Sequence, residues 1–497
     1  MRVLLINPPW DRLRGVNPDT SFQLGLGYLA SALRDNGIDV MIYNAEDVDP
    51  DVIKQSRVKS LMDTHDLYLK ALKNDDHPVW KEVEKLISDY NPDLLGIYTM
   101  TPMIGSTVKI ASIFKSLYPG RKVAAGGPHP SLLPDEVLGY PEIDFAVRGE
   151  GEVTIVELCN ELSKPNPDFK KIDGLSYREN GSILNNSDRQ LIKDLDELTF
   201  PAKDLLFFPE RARHRFIGAM TATRGCPYRC AFCSVQKIWG RGIRYRSPTN
   251  VYAEIESLVI KKKQYDFVFW DDSLTVKRKW LFELCDLLID APFNIKWGCS
   301  TRVDLIDEEM LERMKEAGCG EIGIGIESGS ESMLKRIKKD MKLEDALKAS
   351  DLLNKKKFSW AAFFMVGFPE EEIEDIQATF SLMKRIKPSN IIFSIYAPFP
   401  GNEFYEEMKV KNLLPEKIDW NTFYKHSPEN YLLDTIPRDE FLEIVKDISD
   451  FVDKYNNSFI TQFKRVKYRL PLLFKRGNLY LLRSSFNFIK RKMGFEG

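Results

Sequence analysis

Short, unbroken apolar runs recur along this chain, each closing on glycine, proline or small polar residues and each followed by a helical pattern. Strands without polar alternation are buried on both faces, which places them in parallel sheets covered by helices. Val3-Leu4-Leu5-Ile6 stops at Asn7-Pro8-Pro9, and a helical pattern from Leu24 to Leu33 closes at Asn36-Gly37. Further strands are predicted at 39–43, 94–98, 122–125 and 143–147, with helices at 80–90, 106–117 and 152–162. This is a five-strand doubly wound α/β domain over residues 1–162. Residues 163–215 are polar and carry a hairpin signal, Glu179-Asn180-Gly181-Ser182, and read as a connector. A second series has strands at 218–223, 267–270, 295–300, 321–326, 361–366 and 391–395. Six βα units predict a partial or full barrel over 216–400, followed by a mostly helical region over 401–497.

Composition narrows the class. No apolar run among the 497 residues nears the ~18 needed to span a bilayer, and the N-terminus lacks the apolar core and cleavage site of a signal peptide. Seven cysteines are an odd number and too sparse for a disulfide scaffold, so a reducing cytoplasm is expected. Net charge is −2, yet residues 461–497 hold ten Lys/Arg and one acidic residue, leaving 61 basic and 72 acidic residues elsewhere.

Three of the seven cysteines crowd into Gly225-Cys226-Pro227-Tyr228-Arg229-Cys230-Ala231-Phe232-Cys233, directly after the first strand of the second series. Thiolates select zinc or the irons of an iron–sulfur cluster. A structural zinc site closes with four ligands, usually from two separated pairs. Here neither a fourth Cys nor a His follows within 50 residues. Three thiolates on a 4Fe-4S cluster leave one iron open for chemistry. Cys285, Cys299 and Cys319 sit on an apolar helix face or in strands and read as core.

The C-x3-C-x2-C spacing, with Phe232 before the last Cys, resembles the radical S-adenosylmethionine (SAM) superfamily. The resemblance implies that Cys226, Cys230 and Cys233 hold a 4Fe-4S cluster whose open iron chelates SAM. Electron transfer then cleaves SAM to methionine and a 5′-deoxyadenosyl radical, which abstracts hydrogen from an unactivated carbon. It also implies a SAM site from Phe232, from Asp271 and Asp272 after the second strand, and from Arg302 after the third, facing the carboxylate. Glu327 and Ser328 after the fourth would face the ribose, and Gly367 after the fifth the adenine. Tyr396, at the end of the sixth strand, is a candidate acid–base residue or core.

A doubly wound domain ahead of such a barrel resembles the cobalamin-binding subgroup, which holds radical methylases and the anaerobic porphyrin ring cyclase. Ligands of doubly wound sheets lie beyond the carboxyl strand ends. The implied cobalamin contacts are Asn7, Thr99, Thr101, Gly126, Gly127, His129, Gly149 and Glu150, within the local matches Gly126-Gly127-Pro128-His129-Pro130 and Arg148-Gly149-Glu150-Gly151-Glu152. The cobalt-ligating D-x-H-x-x-G of cobalamin mutases is absent after the first strand. Asp63-Thr64-His65 and Asp75-Asp76-His77 begin that pattern without its glycine and read as solvated helix residues. The fold class is thus a Rossmann-like cobalamin-type domain, a partial (β/α)6 radical SAM barrel and a helical, basic C-terminal segment.

The reaction the resemblance implies is methyl transfer from methylcobalamin to an unactivated carbon of a small or lipid-like substrate. An electron donor such as flavodoxin or ferredoxin is implied too. One rival is a radical cyclase or ring-rearranging enzyme without methyl transfer. The other is a non-enzymatic protein that binds a membrane or nucleic acid through its tail. In 461–497, basic residues interleave with Phe463, Tyr468, Phe474, Tyr480, Phe486, Phe488 and Phe495. That segment suits a helix packed on the barrel or peripheral contact with an anionic membrane surface, with nucleic acid ranked last.

Overall fold

The computed structural model describes residues 1–16, 22–47, 64–209, 211, 217–427, 430–459 and 461–463. Its first sheet joins β1 (Arg2–Asn7), β2 (Asp39–Asn44), β3 (Leu94–Tyr98), β4 (Lys122–Gly126), β5 (Phe145–Val147), β6 (Leu175–Glu179) and β7 (Ser182–Asn185). The spatial order is β2-β1-β3-β4-β5-β6-β7. The first five strands are parallel, and β5–β6 and β6–β7 are antiparallel. Val3, Leu4, Leu5 and Ile6 are buried, as an unbroken apolar central strand requires. The order in which strands are added reverses at β1, with β2 on one side and β3 on the other, so the topological switch point lies between the ends that carry Asn7 and Thr99.

The expected hairpin forms, with Asn180 at φ 50° and Gly181 at φ 81°, the positive angles a two-residue turn of this type needs. It continues the first sheet rather than standing apart. Farther on, residues 201–207 form a strap. Ala202 N–H donates to the Gly27 carbonyl (3.0 Å), and the backbones of Leu205 and Phe207 bond Ile42 of β2 (both 2.8 Å). Lys203, buried on the same strap, reaches the Ala219 carbonyl (2.8 Å) and the Glu254 carboxylate (3.1 Å) in the second unit. Burial lowers the Lys203 pKa from its ordinary value, and the Glu254 carboxylate offsets only part of that.

The second sheet is formed by β8 (Ala219–Met220), β11 (Asp266–Phe269), β12 (Lys296–Arg302), β13 (Cys319–Glu327), β14 (Ser359–Val366) and β15 (Asn390–Ile395), six parallel strands side by side in chain order. Helices follow all six, at Pro248–Lys262, Arg278–Ile289, Glu308–Glu316, Glu331–Arg336, Ile373–Arg385 and Glu403–Val410. Between β8 and β11 lies a short antiparallel ribbon of β9 (Thr223–Arg224) and β10 (Arg244–Tyr245). The run predicted as one strand over 218–223 is therefore split, and β9 leaves the sheet to carry the cysteine loop.

The C-terminal region serves both units. Phe404, Phe441, Val445, Ile448 and Val452 join the core of the second sheet, whereas Tyr405, Trp420, Phe423 and Tyr424 join that of the first. Tyr424 also corrects one expectation. His65 is not solvated: it is 7% exposed, its ring stacked on Tyr424 at 5.1 Å, because this distant segment covers the helix Thr64–Lys73. His77 caps the helix Pro78–Tyr90, its Nδ1 accepting from Val79 N–H at 3.3 Å. Residues 464–497, and with them most of the basic aromatic tail, lie outside the described residues. Among the described residues no helix is long and apolar enough to cross a membrane.

Candidate functional site

The cysteine loop sits at the carboxyl edge of the second sheet and is fixed by its backbone. Ala231 N–H donates to the Ile337 carbonyl (2.9 Å), and the Ala231 carbonyl accepts from Glu403 and Phe404 N–H (3.0 and 3.3 Å). Ser234 Oγ donates to the Pro400 carbonyl (2.7 Å), and Gln236 Nε2 to the Tyr228 carbonyl (2.6 Å). Gly225 is at φ 97°, and a Cβ there would lie 2.6 Å from the Gly242 carbonyl oxygen, so glycine is required just before Cys226.

Cys226, Cys230 and Cys233 are free and half-buried, close enough to influence one another's ionisation. Burial raises all three thiols, Cys233 to about 12; backbone N–H groups of Tyr228 and Val235 act in the opposite direction on Cys226 and Cys233. Asp272 is near Cys226 and Cys233, and Lys339 and Arg302 are near Cys230. Among the described residues no three His, Cys, Asp or Glu side chains close on a single ion. A cluster gives each thiolate its own iron, so three half-buried thiols on one rigid loop suit it without meeting at one point. Cys159, Cys285, Cys299 and Cys319 are buried, the last three in the core of the second unit.

The other barrel residues divide. Phe232 packs on Phe368 at 5.7 Å, next to Gly367, whose φ is 84°. Glu327 ends β13 at a register shift, with φ 69° and its carboxylate on Lys339 Nζ (2.9 Å). A non-glycine residue held there is strained by about 1–3 kcal/mol, a cost that clusters at working sites. Four further residues are engaged within the chain. The Asp271 carboxylate accepts from Ala222 N–H (3.0 Å) and from Thr223 N–H and hydroxyl (both 2.5 Å), bracing the turn from β8 into β9. Ser328 is fully buried, its hydroxyl on Thr379 (3.1 Å) and on Ser330 N–H (3.2 Å). Arg302 is engaged by Asp304 (2.9 Å) and stacks over Tyr228 at 3.8 Å. Tyr396 is core, its hydroxyl donating to Asn402 Oδ1 at 3.1 Å.

Across the first sheet's carboxyl edge, Asn7 donates to Asn44 (2.7 Å) while its own Oδ1 is buried without a hydrogen-bond partner. Both ring nitrogens of fully buried His129 also lack one, and burial lowers its pKa to about 4. Thr99 N–H donates to the Gly126 carbonyl (2.7 Å), and its hydroxyl meets Thr107 (3.1 Å). Thr101 is buried at the head of a short 3-10 turn. Gly127 has φ 111° and a Cβ there would press on the Thr99 carbonyl at 3.0 Å. Gly149 N–H donates to Ser131 Oγ (2.9 Å). Orphaned polar atoms at the ends of β1 and just past β4, flanking the switch point, fit a large polar ligand such as a corrinoid.

Glu150 is engaged across the two units. Its carboxylate is taken by Arg224, Arg244 (2.9 Å) and Ile192 N–H (2.7 Å), and Glu152 binds Arg224 (2.5 Å). Sequence reading did not single out Glu152, Arg224, Arg244 or Lys339. The one signal was proximity in the chain: Arg224 stands two residues before Cys226, and Glu150 and Glu152 share one glycine-rich turn.

The Radical SAM superfamily model matches residues 220–383, and the B12 binding domain model matches residues 16–159. An uncharacterised methyltransferase of Pyrococcus horikoshii is 32% identical over 435 residues, covering 86% of this chain and 87% of the relative. The anaerobic magnesium-protoporphyrin IX monomethyl ester cyclase of Rubrivivax gelatinosus is 28% identical, covering 81% and 72%. Among solved structures, the radical SAM methyltransferase TsrM of Kitasatospora setae, with cobalamin and a [4Fe-4S] cluster bound, superposes with a TM-score of 0.64 at 18% identity, covering 83% and 75%. That likeness concerns the fold. The chain belongs to the radical SAM enzymes that carry a B12-binding domain. Its cofactors are a 4Fe-4S cluster, SAM and cobalamin.

Two consequences can be measured. Asp271→Ala strands buried N–H groups of Ala222 and Thr223, each costing about 1–3 kcal/mol, so anaerobic denaturation should show a loss of that order and the cluster should be retained poorly. Glu371 accepts from Phe368 N–H (3.1 Å) and from Gly367 N–H, and burial raises its carboxyl from 4.5 to about 8. Between those values the folded chain keeps a proton that the unfolded chain has lost, so this group makes stability fall as pH rises through that window. Glu371→Gln should flatten the decline; an unchanged slope would contradict the assignment.

Proposed function

We propose that this enzyme methylates an unactivated carbon of a small or lipid-like substrate, with Cys226, Cys230 and Cys233 as the cluster ligands. The observation that carries this reading is the cysteine loop fastened by its own arginine to the carboxyl edge of the B12-binding sheet. The reading groups 1–162 as the corrinoid unit, 163–215 as a connector, 216–400 as the radical unit and 401–497 as the C-terminal region. Cytoplasmic residence and an electron donor such as flavodoxin or ferredoxin belong to the same reading, and the tail's membrane contact stays a subsidiary proposal.

Bound together, the cofactors supply one electron, a cleavable sulfonium and a methyl carrier. The chain's residues do the rest. The three thiolates hold the cluster and leave one iron open. Glu327, backed by Lys339, offers a carboxylate where the ribose would lie, and Gly367 allows close approach beside it. Arg302, held in place by Asp304, offers a cation for the SAM carboxylate. Phe232 and Phe368 keep water from the radical side. Asn7, Thr99, Thr101, Gly126, Gly127, His129 and Gly149 line the corrinoid side.

The likeness to an anaerobic cyclase supports a second reading, radical ring formation without methyl transfer. Product mass separates them: a gain of one CH2 unit on a fed extract component supports methylation, and loss of hydrogens supports cyclisation. In either case, replacing any one of Cys226, Cys230 and Cys233 with Ala should reduce 5′-deoxyadenosine formation to background. Retained cleavage would overturn the ligand assignment.

A further inference from the structure

Arg224 and Arg244 are cross-strand partners on the ribbon β9–β10, directly opposite each other. Like charges in that register repel, so the ribbon needs an anion between them. Glu150 supplies it from the other unit: one oxygen binds Arg224 and Arg244 (3.0 Å to Arg244), and the second binds Arg244 (2.9 Å) and Ile192 N–H (2.7 Å). Glu152, in the first turn of the helix Gly151–Leu162, takes the remaining fork of Arg224 at 2.5 Å. The side chains of Glu150, Glu152 and Arg224 are at most 9% exposed, and that of Arg244 is 19%. Burial opposes the charge on Arg224, yet Glu152 and Glu150 outweigh it. The guanidinium also lies over Tyr28 (5.1 Å) and Trp239 (5.5 Å), one from each unit. Two cations and two anions balance. Glu150 and Glu152 follow the carboxyl end of β5, and Arg224 is followed directly by Gly225-Cys226.

We propose that Arg224 is a positioning residue, held by Glu150 and Glu152, that fixes the cluster loop against the B12-binding sheet and so sets the cluster-to-cobalt geometry. A two-pronged guanidinium gripping two carboxylates fixes direction as well as distance, which a single lysine contact does not. The proposal rests on the cofactor placement given above.

The test uses the reconstituted chain loaded with cluster and cob(II)alamin, and compares wild type with Arg224→Gln, Arg224→Lys and Glu152→Gln. Iron content and corrinoid absorbance report loading. Dipolar coupling between the reduced cluster and Co(II), read by electron paramagnetic resonance, reports their geometry. The expected result is full loading in Arg224→Gln with a broadened or shifted coupling. With the corrinoid reduced to cob(I)alamin by titanium(III) citrate, transfer of labelled methyl from SAM to the cobalt, releasing S-adenosylhomocysteine, should also fall at least tenfold, while 5′-deoxyadenosine formation persists. Arg224→Lys should restore part of the coupling. Should Arg224→Gln not fold, Glu152→Gln, which removes one of the two prongs, carries the same comparison. Loaded variants with wild-type coupling would reduce the network to a folding brace and overturn the proposal. A wild-type chain that takes up a cluster but no corrinoid would instead overturn the cofactor placement beneath it.

Discussion

The buried ion network of Glu150 and Glu152 with Arg224 and Arg244 is the constraint on which the site depends. Two sheets of separate origin in the chain meet at their carboxyl edges, and both edges are made of loops. Loops alone hold geometry poorly. Here the turn after β5 and the ribbon leading into the cysteine loop are locked by charge, with Glu150 and Glu152 of one unit gripping Arg224 and Arg244 of the other. Removing one partner of such a buried pair leaves a bare charge and costs about 3–5 kcal/mol, far more than an exposed pair would.

The rest of the molecule reinforces that contact. The strap at 201–207 is bonded to β2 on one side and, through Lys203, to β8 and Glu254 on the other. The C-terminal region inserts Phe404 and Phe441 into one core and Trp420 and Tyr424 into the other. Gly105 N–H of the first unit donates to Asn421 Oδ1 of that region at 2.9 Å.

Much of the architecture was legible because it follows from periodicity. Unbroken apolar runs mark buried parallel strands, and Asn180-Gly181 marks a hairpin whatever surrounds it. The cysteine spacing was legible because a cluster needs its ligands on one short loop. What the chain hid were contacts between distant segments. Asp271, Ser328 and Glu150 have the residue types of ligand contacts, yet each is spent on a backbone or a partner that only the fold brings near. His65 looked solvated because the Tyr424 that covers it lies hundreds of residues away. The hairpin read as a connector because sequence gives a strand's presence and not the sheet edge it joins.

The central claim is that one frame holds an iron–sulfur cluster and a corrinoid together. The most direct measurement is the ultraviolet–visible spectrum of the anaerobically reconstituted chain after incubation with hydroxocobalamin and desalting. The account predicts an iron–sulfur shoulder together with retained corrinoid bands. A cluster shoulder whose corrinoid bands vanish on desalting would contradict it.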